Sequence, residues 1–170
     1  MEPKTGVILI GHGAAPSDFP RELTAELKGL EGARMARGGV NAPMSPREAE
    51  LDRKVRTWPR SPKNDPYQAG LQEVAAKLKP FLASARLEIA FNEFCAPSIE
   101  DAAEALVKDG CARISLATIM TTRGGVHSEL EIPEIARKLQ ELHPGVRFVY
   151  AWPYDPVQVA ELIARNLNRF

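Results

Sequence analysis

Four short apolar runs divide the chain, and each has about the length of a β-strand. They cover residues 6–10, 87–91, 113–119 and 146–150. Between and after these runs, apolar residues recur every three or four positions, which is the period of an amphipathic helix. This period predicts helices over residues 68–78, 97–107, 132–142 and 157–167, and residues 21–30 are compatible with another.

The alternation of strands and helices predicts an α/β fold. Its core is a four-stranded parallel sheet flanked by helices and joined by right-handed crossovers. A length of 170 residues is typical of one domain, so we assign residues 1–170 to a single α/β domain.

The connection after the first strand is much longer than the others. Residues 31–66 are rich in Gly, Pro and Arg and show no clear period. We interpret this segment as a long insertion, which is a functional lid, a partner-binding loop, a disordered segment or a solvated surface loop. Its basic residues outnumber its acidic ones, so it is also a candidate contact for an acidic ligand: Arg34, Arg37, Arg47, Arg53, Lys54, Arg56, Arg60 and Lys63.

Charge and cysteine content exclude several classes of protein. The formal net charge is zero, so nothing attracts the whole chain to nucleic acid or to an anionic membrane, and we expect neither partner. The spacing of Cys95 and Cys111 fits neither a zinc site nor a redox pair, and we expect buried thiols. No signal peptide or membrane-spanning stretch is visible, which favours a cytoplasmic location.

Two of the three histidines follow predicted strands directly or closely. Ligands of parallel sheets bind beyond the carboxyl ends of the strands. His12 follows the first strand, Glu93 the second and His127 the third. Because two imidazoles and one carboxylate form an open ligand set for a divalent cation, we predict that these three residues bind a metal ion and act in catalysis.

Glycines surround both histidines and permit a close approach to a ligand. We therefore predict substrate contacts at Gly11, Gly13, Gly124 and Gly125, together with Arg123 as a partner for carboxylates. Glu131 lies four residues after His127, and on a helix it would share a face with that ring and orient it.

Each of these residues also has a purely structural interpretation. His12 in a lone Gly-His-Gly segment is compatible with a turn residue, His127 with a helix cap and Glu93 with a surface acid. The third histidine, His143, is expected only to interact with a helix C-terminus. The combination at three successive strand ends is what favours a functional site.

The ordered motifs of the chain resemble those of the short sirohydrochlorin chelatases, which belong to the class II tetrapyrrole chelatases. The resemblance covers most of the chain except the insertion at about 31–66, and it is carried by these segments: Val7-Ile-Leu-Ile-Gly-His-Gly13, Ala90-Phe-Asn-Glu93, Pro97-Ser98-Ile99, Gly124-Gly-Val-His127 and Ile132-Pro133-Glu134.

This resemblance implies a lyase that inserts cobalt, iron or nickel into sirohydrochlorin or a related tetrapyrrole, with the divalent metal as substrate and no organic cofactor. It implies that His12 and His127 bind the metal and that Glu93 binds metal or removes a proton. It also implies a homodimer, because larger chelatases place two such lobes around one cleft. The chain has no phosphate-binding loop with lysine, so ATP is not expected. Activity is expected to fall below about pH 6.5 as the histidines become protonated.

One departure concerns the substrate. The family often continues Gly-His-Gly with Ser and Arg, whereas this chain has Ala14-Ala15-Pro16. A metal or tetrapyrrole carrier without turnover is therefore an alternative, as is an inactive lobe of a larger assembly. A phosphatase with a histidine nucleophile is disfavoured, since His12 has only Gly11 and Gly13 beside it.

Overall fold

A computed structural model describes residues 3–170 of the chain. It contains one parallel sheet in the order β2-β1-β3-β4. The strands are β1 (Thr5–Gly11), β2 (Arg86–Phe91), β3 (Arg113–Thr118) and β4 (Arg147–Tyr150). Each lies within a residue or so of a run predicted from the sequence, and the predicted parallel α/β fold is confirmed.

Within residues 3–170, six α-helices flank the sheet or extend from it. They are α1 (Arg21–Gly38), α2 (Pro46–Arg56), α3 (Pro66–Leu78), α4 (Ile99–Lys108), α5 (Ile132–Leu142) and α6 (Pro156–Leu167). Helix α4 begins two residues after Pro97 because the Ser98 side chain caps it, accepting a hydrogen bond from the Asp101 amide at 3.1 Å. Among residues 3–170, no helix has the length and apolar character needed to cross a bilayer.

The sheet separates two apolar layers. On one face, Ile8, Ile10, Ile114 and Leu116 pack against the buried sides of α4 and α5. On the other face, Leu9, Phe91 and partly buried Ile89 pack against Leu71 of α3. Successive residues of a strand point to opposite faces, so these two layers follow from the alternation within each strand.

The prediction that residues 31–66 lack regular structure is wrong. Helix α1 continues to Gly38, and α2 fills residues 46–56. Leu51 and Val55 lie one turn apart on α2 and are fully buried beside Phe19 and Phe94 in a third apolar cluster. These two apolar residues anchor α2 in the core, but they do not stand out in a segment dominated by Arg, Glu and Gly.

Candidate metal centre

Three candidate ligands meet at the carboxyl edge of the sheet. His12 follows β1 directly, Glu93 lies two residues after β2, and His127 begins a π-helical turn, His127–Glu131, after β3. The strands β2, β1 and β3 are neighbours in that order. Sheet topology therefore brings together three residues that are widely separated along the chain, as the sequence predicts.

The spacing of these side chains suits one small cation. One ligand atom each from His12, Glu93 and His127 lies within 4.8 Å of the other two. The Nε2 atom of His12 is 3.7 Å from one Glu93 carboxylate oxygen, and the Nε2 atom of His127 is 3.4 Å from the other. The two imidazole rings stand edge to face, with centroids 4.7 Å apart. The carboxylate thus lies between the two imidazoles, and all three donors face a common point.

Hydrogen bonds hold the His12 ring in one tautomer. The carbonyl oxygen of Gly13 lies 2.8 Å from Nδ1 of His12, and a carbonyl can only accept, so Nδ1 carries the hydrogen. The His12 main-chain amide donates to the hydroxyl of Tyr67 on α3 at 2.8 Å. The lone pair of a neutral His12 is therefore on Nε2, which faces Glu93 and is free to bind a metal ion.

His127 is oriented by a carboxylate one turn further along. Its Nδ1 atom lies 2.7 Å from the Glu131 carboxylate, which also accepts a 2.6 Å hydrogen bond from the side-chain amide of Asn92. The bond from Glu131 raises the pKa of His127 above its ordinary value, although partial burial opposes the shift. Burial alone would raise the pKa of Glu131, but the bonds from His127 and Asn92 outweigh it and lower that pKa. The predicted orienting role of Glu131 therefore has the required geometry, whereas Asn92 was not predicted.

Two arginines of the segment 31–66 hold the loop that carries Glu93. The Arg56 guanidinium donates to the carbonyls of Cys95 and Asn92 at 2.8 and 2.9 Å. Arg60 donates to the carbonyl of Phe94 and pairs with buried Asp65. Charged donors bound to several carbonyls fix a loop more firmly than neutral ones, so the position of Glu93 depends on α2 and the segment after it.

The backbone on either side of His12 packs tightly against this loop. The Glu93 amide donates to the His12 carbonyl at 2.8 Å. Gly13 has a φ of +97°, and a Cβ atom there would lie 1.9 Å from the Glu93 carbonyl oxygen. A Cβ at Gly11 would lie 2.8 Å from Leu71. Protein atoms therefore occupy the space beside both glycines, which explains them through packing, while the predicted contact with substrate stays a prediction.

The other predicted substrate residues lie on an exposed loop. Gly124 and Gly125 are exposed, and Arg123 is 71% exposed and lies 3.5 Å from Glu129. Their roles in substrate binding stay predictions. In the basic segment, Arg34, Arg56 and Arg60 are engaged with protein acceptors. The predicted contact of this segment with an acidic ligand likewise stays a prediction.

The remaining histidine and the cysteines are not among the three candidate ligands. His143 caps the C-terminus of α5, and its Nε2 atom is 2.9 Å from Glu104. Both cysteines are free and buried, as predicted. Residues that contact the centre but gave no sequence signal include Tyr67 and Arg56, since each lies far along the chain. Asn92 precedes Glu93 at a strand end, and that position was a usable signal.

Comparison with known proteins places these features in a family. The family model described as CbiX matches residues 62–169, which is more than half of the chain and includes Glu93 and His127 but not His12. A sirohydrochlorin ferrochelatase from Priestia megaterium is 27% identical over 82 residues, which is 48% of this chain and 30% of that protein. The chain therefore matches less than a third of the length of this curated relative.

Two solved structures align with the chain, and the first has a similar fold. A protein from Marinobacter aquaeolei VT8 described as a cobalamin (vitamin B12) biosynthesis CbiX protein aligns over 98% of this chain and 99% of its own, with 15% identity and a TM-score of 0.52. The sirohydrochlorin chelatase SirB from Bacillus subtilis subspecies spizizenii, in complex with cobalt, aligns over 88% of this chain and 43% of its own, with 20% identity and a TM-score of 0.49.

Proposed function

The chain belongs to the CbiX family, and we propose that it is a chelatase that inserts a divalent metal ion into sirohydrochlorin or a related tetrapyrrole. The observation that carries this proposal is the convergence of His12, Glu93 and His127, whose ligand atoms lie within 4.8 Å of one another. The relative from Priestia megaterium is a sirohydrochlorin ferrochelatase, and the SirB structure contains cobalt. We extend this chemistry to the present chain.

The three donors suit the metals that such an enzyme uses. Neutral imidazole and carboxylate bind cobalt, nickel and iron alike, and three protein donors leave coordination positions open for the tetrapyrrole nitrogens. The metal is the substrate, and we propose neither ATP nor an organic cofactor. Hydrogen bonds at Nδ1 fix the tautomers of His12 and His127, so that each neutral ring presents its Nε2 lone pair to the ion without reorganisation.

The reaction exchanges two pyrrole N–H protons for one divalent cation. In the proposed mechanism, His12 and His127 hold the ion at one face of the macrocycle and Glu93 shares in its binding. As metal–nitrogen bonds form, two protons leave the pyrrole nitrogens, and in this proposal the Glu93 carboxylate accepts them in turn. The products are the metallated tetrapyrrole and two protons, so charge and atoms balance without a redox step.

We further propose that a second copy of the chain completes the cleft. Helix α6 has no buried residue, and Leu162, Ile163 and Leu167 are each more than half exposed. The face of β3 and β4 turned away from α4 and α5 carries Ala117 and Val149, which are only partly buried. An uncovered helix and an uncovered half of a sheet in one chain favour a homodimer in which these surfaces are shared.

A histidine substitution with a matched control tests the function. His127→Ala is expected to weaken cobalt binding by about 100-fold or more and to abolish cobalt insertion into sirohydrochlorin, measured by absorbance. His143→Ala removes the histidine that lies outside the centre and is expected to change neither quantity. A folded His127→Ala variant with wild-type affinity and rate would refute the proposal. Stoichiometric binding by the wild type without metallated product would instead identify a carrier.

A further inference from the structure

The turn that carries His127 contains a carbonyl group for which its own backbone provides no donor. In this π-helical turn, the Ile132 amide donates to the His127 carbonyl, five residues back. The next carbonyl belongs to Ser128, and in the same pattern the amide of residue 133 would reach it. That residue is Pro133, which has no N–H. The pattern of the turn therefore leaves the Ser128 carbonyl without a backbone donor.

A side chain from the neighbouring strand supplies the missing donor. Ser128 is 1% exposed, so bulk water has little access to it, and an unpaired carbonyl there would be costly. The hydroxyl of Tyr150, the last residue of β4, donates to the Ser128 carbonyl at 3.1 Å. The Tyr150 ring packs against the apolar layer under α4 and α5 and stacks on Trp152, with 11° between the ring planes. The hydroxyl is thus held in place by the packing of its own ring.

We propose that Tyr150 is a positioning residue for His127 and acts through the Ser128 carbonyl. Ser128 follows His127 directly, so a shift of the turn at this carbonyl also moves the imidazole. His127 begins the turn and Glu131 ends it, and their 2.7 Å bond requires that the pitch of the turn be kept. The role rests on the proposed function, in which His127 is a metal ligand.

Other hydroxyl groups nearby do not serve this carbonyl. The Ser128 hydroxyl donates to the Gly125 carbonyl at 3.3 Å. Tyr154 donates to the carbonyl of Thr118, the last residue of β3, at 2.7 Å. Tyr150 and Tyr154 therefore have the same kind of contact at the same edge of the sheet, but only the acceptor of Tyr150 lies in the turn. This difference makes Tyr154 a matched control.

Removal of one hydroxyl group tests this role. Tyr150→Phe keeps the ring and its stacking on Trp152, and it is expected to fold, which circular dichroism checks. Its cobalt affinity, measured by calorimetric titration, is expected to fall about tenfold, because His127 is no longer held towards the ion. Tyr154→Phe loses an equivalent hydrogen bond and is expected to keep the wild-type affinity. Unchanged affinity in Tyr150→Phe, or an equal loss in Tyr154→Phe, would overturn the proposal.

A second background distinguishes positioning of His127 from a general loosening of the structure. In a His127→Ala chain, adding Tyr150→Phe is expected to cause no further loss of cobalt affinity, because the ligand on which Tyr150 acts is already absent. A further tenfold loss would show that the hydroxyl acts elsewhere and would overturn the proposal. Absorbance with sirohydrochlorin is followed in parallel. A wild type that shows these cobalt affinities but yields no metallated product would refute the proposed function and leave the role of Tyr150 in metal binding standing.

Discussion

Replacing Glu131 with Gln separates two effects that this carboxylate has on His127. Its 2.7 Å bond to Nδ1 strengthens the Nε2 atom as a metal ligand and fixes the direction of the ring. The same bond raises the pKa of His127, so protons compete with the metal more strongly. The first effect favours metal binding at every pH, whereas the second opposes it only where His127 is protonated.

The expected magnitudes follow from these opposing effects. At pH 8, where protons compete less than at pH 6, Glu131→Gln is expected to reduce cobalt affinity about 10- to 100-fold. That corresponds to about 1.4–2.8 kcal/mol. At pH 6, metal binding to the wild type requires His127 to lose the proton that its bond to Glu131 stabilises. Each pH unit below the pKa of His127 therefore lowers the cobalt affinity of the wild type about tenfold. The difference between variant and wild type is therefore expected to shrink as the pH falls.

Calorimetric titration with cobalt at pH 8 and pH 6 measures both affinities. Glu141→Gln is the matched control, because it removes the same charge from an exposed position of α5 and is expected to leave both values unchanged. An equal loss of affinity at the two pH values would refute the proton-competition argument. No loss at pH 8 in a folded Glu131→Gln variant would refute the orienting role.

Three further outcomes are expected. Gly13→Ala, whose Cβ would lie 1.9 Å from the Glu93 carbonyl oxygen, is expected to lower the free energy of unfolding by about 3 kcal/mol or more in urea melts. Gly29→Ala, on open surface of α1, should raise it by about 0.5–1 kcal/mol, and equal effects would contradict the packing argument. Leu162→Glu is expected to convert a dimer into a monomer by light scattering, whereas a monomeric wild type would rule out the shared surface. Burial raises the pKa of Cys95 to about 11, so this thiol is expected to react with a disulfide reagent at pH 8 only after unfolding.

The strands and the metal centre were predictable because both follow from short-range patterns. The run from Gly6 to Ile10 is apolar throughout, as in a strand covered on both faces, and only Gly11 separates it from His12. Once the runs are recognised as parallel strands, their carboxyl ends share one edge, and His12, Glu93 and His127 must lie there. The prediction needed no knowledge of how the helices pack.

The groups that hold the centre in place were harder to predict. Tyr67 is 55 residues from His12, and Arg56 is 36 residues from Asn92, so no local pattern joins them. Arginine in a basic segment is usually exposed to solvent. Here Arg56 and Arg60 donate instead to carbonyl groups that come near them only in the folded chain.

Deleting residues 31–63, which the sequence presented as an insertion, is therefore expected to destroy the metal centre rather than to open it. The deletion removes buried Leu51 and Val55 and both arginines that hold the Glu93 loop. It also leaves the carboxylate of Asp65, 1% exposed, without Arg60, and breaking such a buried pair costs about 3–5 kcal/mol. Arg60→Ala alone is expected to reproduce most of the loss in urea melts and cobalt titrations, while Arg53→Ala, exposed on α2, is expected to change neither. A truncated chain that unfolds cooperatively and binds cobalt like the wild type would show that the loop after β2 holds Glu93 without help from α2.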